Sequence, residues 1–123
     1  MSTTIENRIR ALRGATTCRA NTAESITQAT TELLSALLSR NELTAGDLVS
    51  IVFTATPDLS AEFPAVAARD LGLNEVPLLC AQEMAVPGAP AACIRVLIHH
   101  YGGGAPQPVY LHGAKSLRSD LEV

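Results

Sequence analysis

Residues 21–40 form the clearest helical stretch of this sequence, and they constrain whatever surrounds them. Ile26, Ala29, Leu33, Leu34, Leu37 and Leu38 recur at helical spacing, so one side of the helix is apolar and must be covered. Asn21 followed by Glu24 reads as a capping box at the start. Arg40 favours the helix dipole in the last turn, and Asn41 can close the helix. A leucine stripe of this kind is either a partner-binding face or the side that packs on a sheet. The second is the expectation, with the stripe packed on the sheet.

Residues 8–17 (RIRALRGATT) read as a first strand whose pattern Gly14 ends, which puts Arg13 at a strand end where it can reach into a cleft. Residues 44–47 read as a turn or single helical turn, and 48–55, rich in β-branched side chains, as a strand. TPDLSAEF follows as a loop. Pro64 suits a first helical position, and 65–71 form a short helix ended by Gly72. Residues 76–80 and 93–100 read as strands, 101–108 (YGGGAPQP) as a flexible turn region, and 109–111 as a last short strand. Residues 1–7 are expected to fray, and a tail from about 117 to 123 to be mobile. The order implies an α+β fold, with a mixed β-sheet packed against one long helix and a short helix. At 123 residues this is expected to be a single domain. Nothing obvious covers the other sheet face, so oligomerisation through it is expected.

Two charges sit at apolar strands. Glu83 follows the run 76–80, and Arg95 lies inside the run 93–98, between Ile94 and Val96; a Pro/Gly-rich connection, 86–90, joins the two. Such charges are costly unless paired, so they are expected to face each other or a ligand. Nearly all the positive charge is arginine, with Lys115 the sole lysine, and arginine suits planar, two-point binding of carboxylates. An aromatic fraction of 3% without tryptophan argues against a stacking platform for single-stranded nucleic acid. A net charge of −3 without a basic run argues against a duplex-binding surface. No apolar segment is long enough to span a bilayer and the N-terminus has no signal-peptide core, so a cytoplasmic location is expected. Cys18, Cys80 and Cys93 are odd in number and widely spaced, which fits reduced thiols better than disulfides or a zinc site. His99 and His100 point opposite ways on a strand and make a poor chelating pair; His112 is read as structural. There is no convincing Ser-His-Asp set or glycine-rich phosphate loop.

Several segments, in order, resemble the AroH-type chorismate mutases, the small α/β class rather than the all-helical one. They are RALRGATT (10–17), FTATPDLSAEFPAVAAR (53–69), VPLLCAQEMAVPG (76–88), CIRVL (93–97), VYL (109–111) and LRSDL (117–121). The resemblance implies a pseudo-α/β-barrel homotrimer with active sites between neighbouring subunits. It also implies the Claisen rearrangement of chorismate to prephenate, with no metal or other cofactor. It assigns Arg95 to the breaking ether oxygen and the side-chain carboxylate, and Arg13 and Tyr110 to a substrate carboxylate. Glu83 would accept from the ring hydroxyl and Cys80 would contact it, with the backbone of Leu79, Cys80, Ala81, Gln82 and Glu83 lining the pocket. Phe63, Ala65, Met84 and Leu117 would form apolar wall. Arg69 would add positive potential at the mouth, and Arg118 would close over the ligand.

Taken singly, each residue has a plainer reading. Arg95 and Glu83 make a structural bridge, Arg13 and Arg69 are solvated charges, Cys80 is a core thiol and Tyr110 a half-buried sheet residue. Two features depart from the family: Val66 stands where a basic residue is common, and the connection from Arg95 to Tyr110 is short and glycine-rich. Two rival functions remain. One is an enamine/imine deaminase of the YjgF type on a similar trimeric architecture; the other is a non-catalytic sensor of an aromatic-pathway dicarboxylate.

Overall fold

The computed structural model describes residues 8–118. The expectations for residues 1–7 and for the tail beyond Arg118, including the last three residues of LRSDL, lie outside the described residues. Five strands form one sheet: β1 (Arg10–Thr17), β2 (Leu48–Ala55), β3 (Leu78–Gln82), β4 (Cys93–His100) and β5 (Val109–Tyr110), in the order β3-β2-β4-β1-β5. β4 runs antiparallel to both neighbours, whereas β2–β3 and β1–β5 are parallel, so the sheet is mixed. The long helix α1 (Ala23–Arg40) and the short helix α2 (Ala65–Asp70) accompany it, as the α+β expectation required. Short 3-10 segments span Ala45–Asp47 and His112–Arg118.

The leucine stripe packs on the sheet. Ile26, Thr30, Leu33, Leu34 and Leu37 of α1 are buried against Leu12, Ile51, Phe53, Ile94, Val96 and Ile98. Each such fully buried aliphatic side chain contributes about 1.5–3 kcal/mol. Gly14 lets the helix approach β1: a Cβ there would meet Leu37 Cδ1 at 2.9 Å, Val109 O at 3.0 Å and Leu33 Cδ1 at 3.1 Å. It does not end the strand. Arg13 is therefore an interior residue of β1 rather than a strand-end one, with Leu97 as its cross-strand partner.

The start of α1 differs from the capping-box expectation. Thr22 is the cap, accepting from the Ser25 N–H at 3.1 Å, while Asn21 accepts from the N–H groups of Ser60 and Ala61 at 2.8 and 2.9 Å. Asn21 holds the loop after β2 instead, a long-range demand that outweighs local capping. At the other end Asn41 closes the helix as expected. Its amide donates to Leu37 O at 2.9 Å, and its side chain also pairs with the Gln107 backbone, tying down the glycine-rich loop. β3 begins two residues later than the run 76–80 suggested. Pro77 has no N–H for a ladder; its carbonyl accepts from Ile51 N at 3.0 Å, and pairing with β2 then continues to Gln82.

Candidate active site

Strand register sorts the polar residues. Because side chains alternate along strands, each cross-strand row belongs to one face. One row runs Ala81–Thr54–Arg95–Ala15–Tyr110 across all five strands, and the next Leu79–Val52–Leu97–Arg13. These lie on the face opposite α1. The row between them, Cys80–Phe53–Val96–Gly14–Val109, lies on the helix side, where Phe53 is fully buried.

On the open face Arg13, Glu83, Arg95 and Tyr110 line one cavity of about 250 Å³, together with Val52, Thr54 and Leu97. Glu83 lies just past β3, where its N–H donates to Ala55 O at 2.9 Å. Its Oε2 accepts from Thr54 Oγ1 at 2.6 Å and sits 3.4 Å from Arg95 Nε. The Arg95 side chain keeps 45% of its surface exposed and that of Glu83 25%, so the pair is open to a ligand rather than sealed as a core bridge. Tyr110 is buried beside Ala15, Cys93 and Ala114, with Leu117 packed on this group. The guanidinium of Arg118 lies 5.8 Å from the Tyr110 ring centroid, a cation–π distance. The short connection from β4 thus still delivers Tyr110 to the cavity. Burial pushes the Cys93 thiol up, although Arg95 pulls it the other way, so it serves as a neutral packing group beneath Tyr110.

The beginning of β4 is pinned through its backbone by Thr56 and Asp58. Cys93 N donates to Thr56 Oγ1 at 2.9 Å, Thr56 N donates to Cys93 O at 3.0 Å, and Ala92 N donates to Asp58 at 2.8 Å. The Thr56 hydroxyl and that N–H hold the Asp58 carboxyl below its usual range. Arg95 is two residues further on, so its position follows from this clamp.

The remaining sequence-predicted residues gather elsewhere. Phe63, Cys80, Ala81 and Gln82 line a second cavity of about 330 Å³, with Thr56 and Leu59. Cys80 and Arg95 thus belong to opposite faces within one chain. Ala65 is buried in the helix-side core, and Arg69 is exposed on α2. Phe63, Leu79 and Met84 are 68%, 63% and 79% exposed, which is unusual for side chains of their size. Leu117 and Arg118 fall in the last 3-10 segment. Thr54 and Val52 were not singled out from sequence. The alternation in LVSIVFTA puts them on one face, but only the register with Arg95 and Leu97 shows that this face carries the charges.

An α+β chain whose open sheet face sets two arginines and a carboxylate on one cavity presents groups suited to a small carboxylate anion. The comparisons with known proteins narrow that class. The family model described as chorismate mutase type I matches residues 9–121. The chorismate mutase AroH of Thermus thermophilus is 44% identical over 119 residues, covering 93% of this chain and 97% of that protein. The AroH protein of Bacillus subtilis (strain 168) is 42% identical over 120 residues, 94% of each. A solved chorismate mutase from Clostridium thermocellum superimposes with a TM-score of 0.85 at 44% identity, covering 87% of this chain and 98% of that one. The chain belongs to the type I chorismate mutases. These matches lend no support to the deaminase or sensor readings.

Proposed function

We infer that the protein is a chorismate mutase, an isomerase that rearranges chorismate to prephenate on the route to phenylalanine and tyrosine. The observation that carries this reading is the convergence of Arg13, Glu83, Arg95 and Tyr110 on one cavity in a chain of this family. Chorismate is a dianion carrying two carboxylates, an enol ether and a ring hydroxyl. In its pericyclic rearrangement one C–O bond breaks as one C–C bond forms. No proton, electron or covalent intermediate is required, so turnover needs neither metal nor other cofactor. The catalyst has to hold the side chain over the ring in a chair-like conformer and stabilise negative charge growing on the ether oxygen.

Arg95 donates to that oxygen and to the side-chain carboxylate. Its Nε faces Glu83, which orients the forked Nη end toward the ligand. Arg13 and Tyr110 bind carboxylate. Glu83 accepts from the ring hydroxyl and places negative charge near the electron-poor ring. Leu117 and Arg118 complete the wall beside Tyr110.

The single domain works as a homotrimer. Support comes from the open face, where Leu79 is 63% exposed and Val52 and Leu97 are only half-buried. A neighbour covering that face brings its Phe63, Cys80 and Gln82 toward the cavity, with the backbone of Leu79 and Ala81 beside them. Met84 and Arg69 then stand at the mouth, and Ala65 backs the wall from its buried place. Free thiols at Cys18, Cys80 and Cys93 suit a cytoplasmic enzyme.

Loss of the ultraviolet absorbance of chorismate, with prephenate as product, tests the function directly. Turnover is expected to persist with chelator present and to vary little across neutral pH. Failure to form prephenate, or turnover of 2-aminoacrylate instead, would overturn it. Arg13 and Glu83 share one chain's cavity, so their inactive variants should not rescue each other. Mixed trimers of Arg95→Ala and Phe63→Ala chains should regain activity, because some interfaces then join two intact halves. Absence of rescue in trimers shown to be mixed would argue for sites contained within one subunit.

A further inference from the structure

The Arg95–Glu83 pair has a third member. Thr54 is the direct cross-strand partner of Arg95, and its hydroxyl makes the shortest contact of the group, 2.6 Å to Glu83 Oε2. Arg95 Nε approaches the same oxygen at 3.4 Å. Among the described residues both contacts fall on Oε2 and neither on Oε1. An arginine and a carboxylate left alone favour a two-point fork, with both oxygens against two guanidinium nitrogens. That arrangement would turn Arg95 and Glu83 inward and neutralise each toward a ligand. The hydroxyl on Oε2 works against it, because a carboxylate oxygen already taking a short charge-assisted bond is not free to swing.

We propose that Thr54 is a positioning residue for the rearrangement: it holds Oε2 of Glu83, so that Oε1 is presented to the ring hydroxyl of the substrate and Arg95 keeps its Nη end for the ether oxygen. Thr54 touches no reacting atom. The proposal rests on the role given above to Glu83, and the test separates the two.

The variants are Thr54→Val, which keeps the β-branched shape without the hydroxyl, Thr54→Ala, Thr54→Ser, Glu83→Ala and the double variant Thr54→Val/Glu83→Ala. Prephenate formation gives kcat and KM for each, and circular dichroism confirms folding. Hydrogen bonds to charged groups are strong enough that Thr54→Val and Thr54→Ala should each lower kcat by about 10- to 100-fold, with KM changed far less. Thr54→Ser should recover most of the loss. In the Glu83→Ala background, Thr54→Val should cost little more, since its partner is gone.

Unchanged kcat in Thr54→Val and Thr54→Ala would overturn the proposal. So would an equal fold-loss with and without Glu83, which marks a structural role. If Glu83→Ala itself keeps normal kcat, the role of Glu83 fails first and that of Thr54 falls with it.

Discussion

The two faces of the sheet share their strands and differ in how far one chain completes them. Toward α1, Ile51, Phe53, Ile94 and Ile98 are fully buried in a continuous apolar core. One residue along, Val52, Thr54, Arg95 and Leu97 look onto a cavity, and Leu79 stands 63% exposed. β4 contributes to both faces by simple alternation, with Ile94, Val96 and Ile98 inward and Arg95 and Leu97 outward. The closed face holds the fold together, and its geometry tolerates little change. The open face carries the charges, and its residues matter less for the folding of one chain, which leaves them partly exposed. Rate and stability should therefore respond to different substitutions.

Arg95→Ala should show the largest effect. Removing a preorganised donor at a developing oxyanion typically costs about 10²–10³ in rate, and loss of a carboxylate anchor should push the fall to that upper end or beyond. Stability should move by no more than about 1 kcal/mol, as for a half-exposed ion pair. Arg95→Lys keeps the charge without the fork and should rescue only in part. Unfolding curves together with kcat decide this. If only KM rises, Arg95 binds ground and transition states alike, and the open face is a binding surface whose catalysis lies elsewhere.

Phe53→Ala probes the opposite face. A fully buried phenylalanine lost from a packed core costs about 3–5 kcal/mol, read from the urea midpoint. The molecules that remain folded should keep near-normal kcat. A fall in kcat per folded molecule like that of Arg95→Ala would erase the division between the faces.

Gly14→Ala tests the point at which the two faces are mechanically linked. Its new Cβ would press on Leu37 Cδ1 at 2.9 Å and on the Val109 carbonyl at 3.0 Å. The leucine can rotate; the carbonyl can yield only if β5 moves, and β5 carries Tyr110. Overpacking should cost about 1–3 kcal/mol in stability, and here alone a core-side change should also weaken substrate binding. Normal KM alongside lowered stability would show that β5 absorbs the strain without displacing Tyr110.

The closed face was the more legible in the sequence. The spacing of Ile26, Leu33, Leu34 and Leu37 is a local pattern, and it predicted both the helix and its buried side. β4 was readable for the same reason. The Arg95–Glu83 pair was also foreseeable, since two isolated charges at apolar strands call for partners. What stayed hidden depends on register. Arg13 looked like a strand-end residue because glycine usually marks a break, whereas Gly14 serves close packing. Cys80 and Glu83 are three apart, and only the pairing of Cys80 with Phe53 shows that the thiol faces the helix side. Thr54 carried no signal of its own until its strand was aligned with β4.

The smallest effect concerns Cys18, which packs at the edge of the closed face. Burial, with lesser contributions from Cys93 and Asp58, raises its thiol from 9.0 to about 11. Below the lower value the thiol is protonated in both the folded and the unfolded chain, so stability does not depend on it. Between 9.0 and about 11 the unfolded chain sheds the proton and the folded one keeps it, so stability falls as pH rises through that window. Unfolding midpoints across this range should decline more steeply for the wild type than for Cys18→Ala, whatever the offset between them. Catalysis at neutral pH should be the same in both, since the thiol lies outside the charged cavity. Parallel slopes would mean that Cys18 ionises as freely in the folded protein as in an open chain, and that the edge of the closed face admits water. Lost activity in Cys18→Ala would instead show that the end of β1, next to the clamp on β4, helps to place Arg95.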